Sequence, residues 1–497
     1  MALRKPERVF FGNSLDRNIA IVQKYVGQYA DMVVRRVSFP GGRAAVFYFD
    51  GLTDKNAVSE FIVKPLVLRE DEGCIVPEEL AAGCLHISGW RTADNDRDFM
   101  DSIFSGDCGI LFDRSACGII TDIKGFDRRD VAEPQTEIVV RGSREGFVEN
   151  LKSNMAMLRR RIKTPNLCFE VMQSGTETNT NLCLAYIRGL AEPELVDEAR
   201  RRISAIEIDA VLESGYIEQL VEDRPFSPFP TIANSEKPDK VAAKLLEGRV
   251  AVLVDGTPFV LTAPMLFVES FQSAEDYYSR PYMASMVRLL RFLAFGIAVY
   301  APAFYIAVTG YHLELIPSAL MLNMWQAAAS TPLSSGWSVF FYSLIYEVVR
   351  EAGIRLPRPV GAAISIVGGL VIGNMAVEAG LISAPVVIIV AFTAIAMFVV
   401  DALTDAATVL RFIFILLAWW LGFWGLMLGS MLLLLHLVSL RSFGVAYFAP
   451  FAPFIGYQLR DSLVRAPLWR MGRRPWNITA GSSRRQNEQK PPAGRMQ

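Results

Sequence analysis

"YFDGLTDKNAV" runs from Tyr48 to Val58, and "YIRGLAEPELV" from Tyr186 to Val196. Each closes an alternating β-run with Gly-Leu and opens a helix with acidic residues in its first turn. A second pair follows the first. "GDCGILFD" (Gly106 to Asp113) and "GRVAVLVD" (Gly248 to Asp255) each read as a strand ending at an Asp in a hairpin turn, with another strand after it. The order strand, Gly-Leu, helix, strand hairpin thus occurs twice, about 140 residues apart. Chance likeness is the competing account, because such units can be built in few ways. The reading taken is a duplication: an extension over 1–27, then two α/β subdomains over 28–140 and 165–280.

Between them lies "RGSREGFVENLKSNMAMLRRRIK" (Arg141 to Lys163). Phe147, Leu151, Met155 and Leu158 keep helical spacing, so a linker helix is predicted over 141–164, including Arg141, Arg144 and Glu145. Its basic cluster, Arg159, Arg160, Arg161 and Lys163, reads either as a solvated helix end favoured by the dipole or as a site for anionic lipid.

The 497 residues are 52% hydrophobic, and the mean hydropathy is +0.28. Residues 1–280 have soluble composition, and long apolar runs begin at Phe292. The fold class expected is therefore an α/β soluble N-terminal region of two duplicated subdomains, followed by an α-helical multi-pass membrane domain over 281–457. A basic, largely disordered tail over 458–497 ends it. Fifty basic residues against 51 acidic ones, net −1, give no bias towards nucleic acid. "MALRKPERVF" has no apolar stretch behind its charges, so no signal peptide is read there, and the soluble half is expected in the cytoplasm. The six cysteines include no CxxC pair, so they read as core thiols rather than metal ligands. No phosphate loop, G-x-S-x-G elbow or H-E-x-x-H occurs. Neither an enzyme nor a bound cofactor is expected.

Four spans are predicted: Phe292–Val308, Val360–Val377, Ile382–Val400 and Phe412–Leu435, the last long enough to tilt. Between the first two, His312 to Glu347 is broken by prolines and polar residues. Asn323, Gln326 and Glu347 there are candidate gate or conduit groups, against the alternative of an amphipathic loop on the membrane surface. Gly361, Ser365, Gly369 and Gly373 form a strip of small residues at intervals of four, open to contact within the chain, contact between copies, or pore lining. Arg350, Arg355 and Arg358 place their loop inside. Arg441, Arg460, Arg465, Arg470, Arg473 and Arg474 call for the inside too, yet four spans leave them outside. Either "YFAPFAPFIGY" (Tyr447 to Tyr457) re-enters or one span is miscounted.

Several long motifs, in order, resemble the A subunits of the GerA-type spore germination receptors. They are "RGSREGFVENLKSNMAMLRRRIK", "LVDGTPFVLTAPMLF", "EDYYSRPY", "REAGIRLPRPVGAAISIVGGLVIGNMAVEAGLIS" and "HLVSLRSFGVAYFAPFAP", and the resemblance extends from about Phe39 to Pro453. It implies a subunit in the inner spore membrane with its N-terminal half on the core side. The implied partners are a transporter-like B subunit that takes the nutrient and a lipoprotein C subunit. It also implies oligomers around a ligand-gated ion channel. Two stretches depart from the family pattern, "AASTPLSSG" in the broken region and "DALTDAATVL" after the third span. Other readings are an ion channel like the stage V sporulation protein AF, a membrane scaffold, or a secondary transporter. The last would show paired broken helices in two similar membrane halves, and the sequence has one broken region.

Overall fold

The computed structural model describes residues 9–26, 31–69, 76–87, 89–125, 134, 137, 141–329, 331–355, 373–475 and 478–480. The first sheet holds β1 (Met32–Phe39), β2 (Gly42–Phe49), β3 (Trp90–Ala93), β4 (Cys108–Phe112) and β5 (Gly118–Thr121) in the order β1-β2-β4-β5-β3. The second holds β6 (Leu167–Ser174), β7 (Thr180–Ile187), β8 (Ala233–Ser235), β9 (Val250–Val254) and β10 (Val260–Ala263) in the order β6-β7-β9-β10-β8. The two orders are the same, and every pairing is antiparallel.

Each sheet is covered on both faces, which is why its central strands are apolar at consecutive positions rather than at alternate ones. In β2, Ala45, Phe47 and Phe49 pack with Phe99 and Ile103, while Ala44, Val46 and Tyr48 pack with Ile62 and Leu66. In the second sheet, Cys183, Ala185 and Leu253 face Leu158 and Val241, while Leu182, Leu184 and Val252 face Val196 and Ile217. The Gly-Leu steps turn the chain out of β2 and β7, with Gly51 at φ 83 and Gly189 at φ 78, values that favour glycine.

The correspondence extends to the helices that precede each sheet, α1 (Leu15–Val26) and α4 (Leu151–Arg161). Asp113, after β4, accepts from the Leu15 amide at 3.2 Å, and Asp255, after β9, from the Leu151 amide at 3.0 Å. Asn18 clasps the Gly12 backbone as Asn154 clasps that of Val148. Between α1 and α4 lie α2 (Pro77–Gly83) and α3 (Asp96–Ile103). The second unit continues with α5 (Pro193–Ser204), α6 (Ser214–Val221) and α7 (Pro238–Leu245).

The predicted helix over 141–164 is shorter than expected. Residues 141–150 are not helical, because the Asn150 side chain accepts from the Ser153 amide and starts the helix at Leu151. Its arginines are not a solvated end either. Arg159 is fully buried, and Arg160 and Arg161 are paired to Glu145.

The helical part holds α8 (Pro281–Tyr311), α9 (Ser318–Ala329), α10 (Ser335–Arg355), a short helix Gly373–Glu378, α11 (Ala384–Phe398), α12 (Thr404–Leu421) and α13 (Phe423–Ser439). Two helical stretches, Pro281–Tyr311 and Asp401–Leu421, are long and apolar enough to cross a membrane. α8 and α12 run together away from the α/β units: Tyr300 packs on Phe414, and the Tyr311 hydroxyl donates to the Trp419 carbonyl at 2.6 Å. α10 and α13 run back, shown by Gly336 against Trp419 at the far end and by His436 beside Ser227 of the α/β part.

The predicted 24-residue span Phe412–Leu435 is overturned. It is a helical hairpin broken at Gly422, whose φ of 58 and ψ of −134 end α12. Gly425 sits on the Leu417 carbonyl and Gly429 on Phe414, so small residues let the two arms meet. The hairpin returns the chain to the α/β end, so that Ser442 and Arg465 lie against residues that precede or begin α8. Residues 458–475 are also not a loose tail: Arg465 is buried and donates to the carbonyls of Tyr277 and Ser279.

Candidate functional site

Three buried charge clusters join the parts of the molecule. The first lies inside the apolar helices. Arg411 on α12 is fully buried and pairs with Glu347 on α10. Arg350, one turn beyond Glu347, approaches its other oxygen at 2.7 Å. Arg411 also donates to the Met397 sulfur of α11 at 3.1 Å. Ser343 and Thr408 lie one helical turn from Glu347 and Arg411, and their hydroxyls are buried with no hydrogen-bond partner among the described residues. Two guanidinium groups against one carboxylate leave a net positive charge among apolar helices. Burying such charges is costly unless they are paired.

The second cluster joins the two α/β units. The Arg159 guanidinium grips Asp31 through Nε at 3.1 Å and Nη2 at 2.9 Å, donates to the Leu167 carbonyl, and stands 4.7 Å from the Phe49 ring and 4.8 Å from that of Phe169. Asp31 and Phe49 belong to the first unit and Phe169 to the second. Beside it, burial works to raise the Glu145 carboxyl, but hydrogen bonds and charge from Arg160 and Arg161 outweigh it and hold the group below its ordinary range. Arg141 gives its backbone N–H to Glu275 at 3.1 Å.

The third cluster fixes the foot of α8. Arg288, with no exposed surface, binds Asp276 at 3.1 Å and Asp461 of the C-terminal segment at 3.1 Å, and Tyr277 donates to Asp461 at 2.9 Å. Nearby, Glu269 pairs with Arg249 and with Lys244, the latter at 3.2 Å.

The gate candidates do not converge. Glu347 sits in the first cluster, whereas Asn323 and Gln326 are exposed on α9. Gly361, Ser365 and Gly369 lie outside the described residues. Gly373 makes a contact within the chain, where a Cβ would stand 2.9 Å from the Tyr342 hydroxyl. Arg411 escaped the sequence reading, although a lone cation in "TVLRFIFILLAWW" was its signal. Asp31 carried no signal, since its partner is 128 residues away.

The described chain is thus a twice-repeated α/β region riveted by buried ion pairs to a bundle of apolar helices. Residues 20–477 match the Bacillus/Clostridium GerA spore germination protein family. Spore germination protein KA of Bacillus subtilis (strain 168) is 42% identical over 98% of this chain and 91% of its own length. The uncharacterized membrane protein YfkQ of the same organism is 41% identical over 92% of this chain and 90% of its own. The crystal structure of the N-terminal domain of the A subunit of the Bacillus megaterium spore germinant receptor GerK3 is 34% identical, covers 53% of this chain and 99% of that one, and has a TM-score of 0.42. The chain belongs to the GerA spore germination family.

Proposed function

We propose that this protein is the A-type subunit of a nutrient germinant receptor, a non-enzymatic membrane component that oligomerises into a ligand-gated ion conduit. The observation that carries this reading is the Glu347–Arg411–Arg350 cluster, a buried ionic group shared by two helices of an otherwise apolar bundle. Apolar side chains such as Leu293, Phe392, Trp420 and Leu428 are exposed along these helices, as a lipid-facing surface requires. The α/β units and the C-terminal arginines then share the spore-core side. The B subunit takes the nutrient, the lipoprotein C subunit completes the receptor, and the strip from Gly361 to Gly373 supplies close helix contacts near the oligomer axis.

Nutrient shifts the closed–open equilibrium only through unequal affinity for the two states. A shift from mostly closed to mostly open needs about 5.5 kcal/mol of such preference, which coupled copies share. The test is cation flux from liposomes that hold this chain with its B and C partners, with and without a panel of amino acids and sugars. Flux confined to one nutrient supports the reading, whereas no flux under any condition overturns the conduit. Constant flux from this chain alone points to a channel gated without nutrient. Glu347→Gln leaves two guanidinium groups without a carboxylate. It is expected to lower nutrient-triggered flux about tenfold, the equivalent of ~1.4 kcal/mol, with the subunit still accumulating. Wild-type flux in that variant would remove the cluster from the mechanism.

A further inference from the structure

A cleft of about 630 Å³ opens between the second α/β unit and the C-terminal segment, at the foot of α8. Its acidic lining is already neutralised. Glu269 faces Arg249 and Lys244, Glu247 faces Arg249, and Asp461 is held by Arg288 and Tyr277. Apart from Arg249, its basic lining is not. Arg460, Arg470 and Arg473 are exposed and make no ion pair among the described residues. Trp469 lies beside them, its ring 5.0 Å from the Arg470 guanidinium, and Val464, Leu468 and Trp469 expose apolar surface on the same segment.

The depth of this cleft is set by its contacts. Asp461 and Arg465 bond to Arg288 and Ser285 on the first two turns of α8. Arg288 precedes Phe292, where the long apolar run begins, by about 6 Å of helix. A cationic cleft lined by Trp469, with Leu468 and Val464 exposed on the adjoining surface of the same segment, matches at that depth the headgroup layer, where aromatic rings and basic side chains concentrate. A site for a free anion has no use for that apolar surface.

We propose that this cleft binds the headgroup phosphate of an anionic phospholipid from the leaflet in which α8 begins. The proposal rests on the membrane reading above. Binding there ties the C-terminal segment, α8 and the second α/β unit to the charge of the bilayer.

The test uses the full chain purified in detergent and titrated, under native mass spectrometry, with short-chain phosphatidylglycerol, phosphatidylcholine or inorganic phosphate. Preferential retention of phosphatidylglycerol is expected. Each of Arg460→Gln, Arg470→Gln and Arg473→Gln is expected to weaken it about fivefold, with the phosphatidylcholine adducts unchanged. Equal retention of the two lipids, or wild-type preference in the triple variant, overturns the proposal. Displacement of the lipid by millimolar inorganic phosphate also overturns it, in favour of a free-anion site. A chain that stays monodisperse without detergent overturns the membrane reading instead. The three side chains are exposed, so circular dichroism of the variants serves as the folding control.

Discussion

At the residue scale, Arg159 illustrates how much a charge depends on its surroundings. In sequence it is one of four basic residues at a helix end. In the fold it has no exposed surface and closes the seam between two sheets. Removing one partner of a buried pair leaves the other charge without compensation, so Arg159→Met is expected to cost about 3–5 kcal/mol. The Asp31→Asn/Arg159→Met double variant should recover most of that loss, because no lone charge remains. Denaturant unfolding followed by circular dichroism measures both, and a single variant within about 1 kcal/mol of wild type would show the pair to be solvated. Glu218 on α6 makes a second case. Burial pushes its carboxyl up to about 7, and the charges of Glu222 and Glu213 add to the effect. The folded protein therefore keeps a proton that the unfolded chain releases, and stability falls as pH rises from about 4.5 towards 7. Glu218→Gln removes that dependence. Its melting temperature should exceed that of wild type at pH 8 and match it at pH 4, and equal gaps at both values would overturn the assignment.

At the element scale, the apolar pattern announced helices but not where they break. Phe412 to Leu435 satisfies every test for one long span, and its three glycines are ordinary in a membrane helix. What makes Gly422 a turn is the pairing it permits. Gly425 and Gly429 let α13 lie on Leu417 and Phe414 of α12, a contact between residues separated by the turn itself. Gly425→Leu sets a side chain against the Leu417 backbone, which cannot yield as a flexible neighbour does. The purified chain in detergent should then melt several degrees lower, and a shift below about 2 °C would show the arms to be loosely packed. The repeat was legible in the opposite sense. The succession of strand, helix and strand hairpin along the chain follows from local cues, namely Gly-Leu after one strand and Asp after another, and these cues recur in both halves, whereas the order of strands within each sheet comes from the fold. The kinship of α1 with α4 was harder to read, because it is carried by the buried Asn18 and Asn154, which resemble surface residues until their backbone partners are known.

At the scale of the whole molecule, the C-terminal segment is the link between parts. The Ser442 hydroxyl accepts from the Met265 amide at 3.0 Å, the Tyr447 carbonyl accepts from that of Phe267 at 2.9 Å, and Asp461 clamps Arg288. Asp461→Ala leaves Arg288 with Asp276 as its carboxylate partner, beside the backbone carbonyls of residues 461 and 462, and frees the Tyr277 hydroxyl. Limited proteolysis should then cut between Ser442 and Pro475 several-fold faster, as a local opening of about 1 kcal/mol implies. An unchanged cleavage rate would mean that the segment is held elsewhere.

The amino-acid order by itself determined the division into an α/β half and an apolar helical half, the repeat within the first, and the family. These rest on periodicity, on turn chemistry and on motifs, which neighbours in the chain create. Only the tertiary structure decided that α12 and α13 form a hairpin, that Arg159 and Arg411 are buried partners rather than surface charges, and that the C-terminal arginines lie beside the foot of α8. The hairpin depends on packing across its own turn, and the other two on groups brought together from 64 to 180 positions apart, across surfaces that no local pattern encodes.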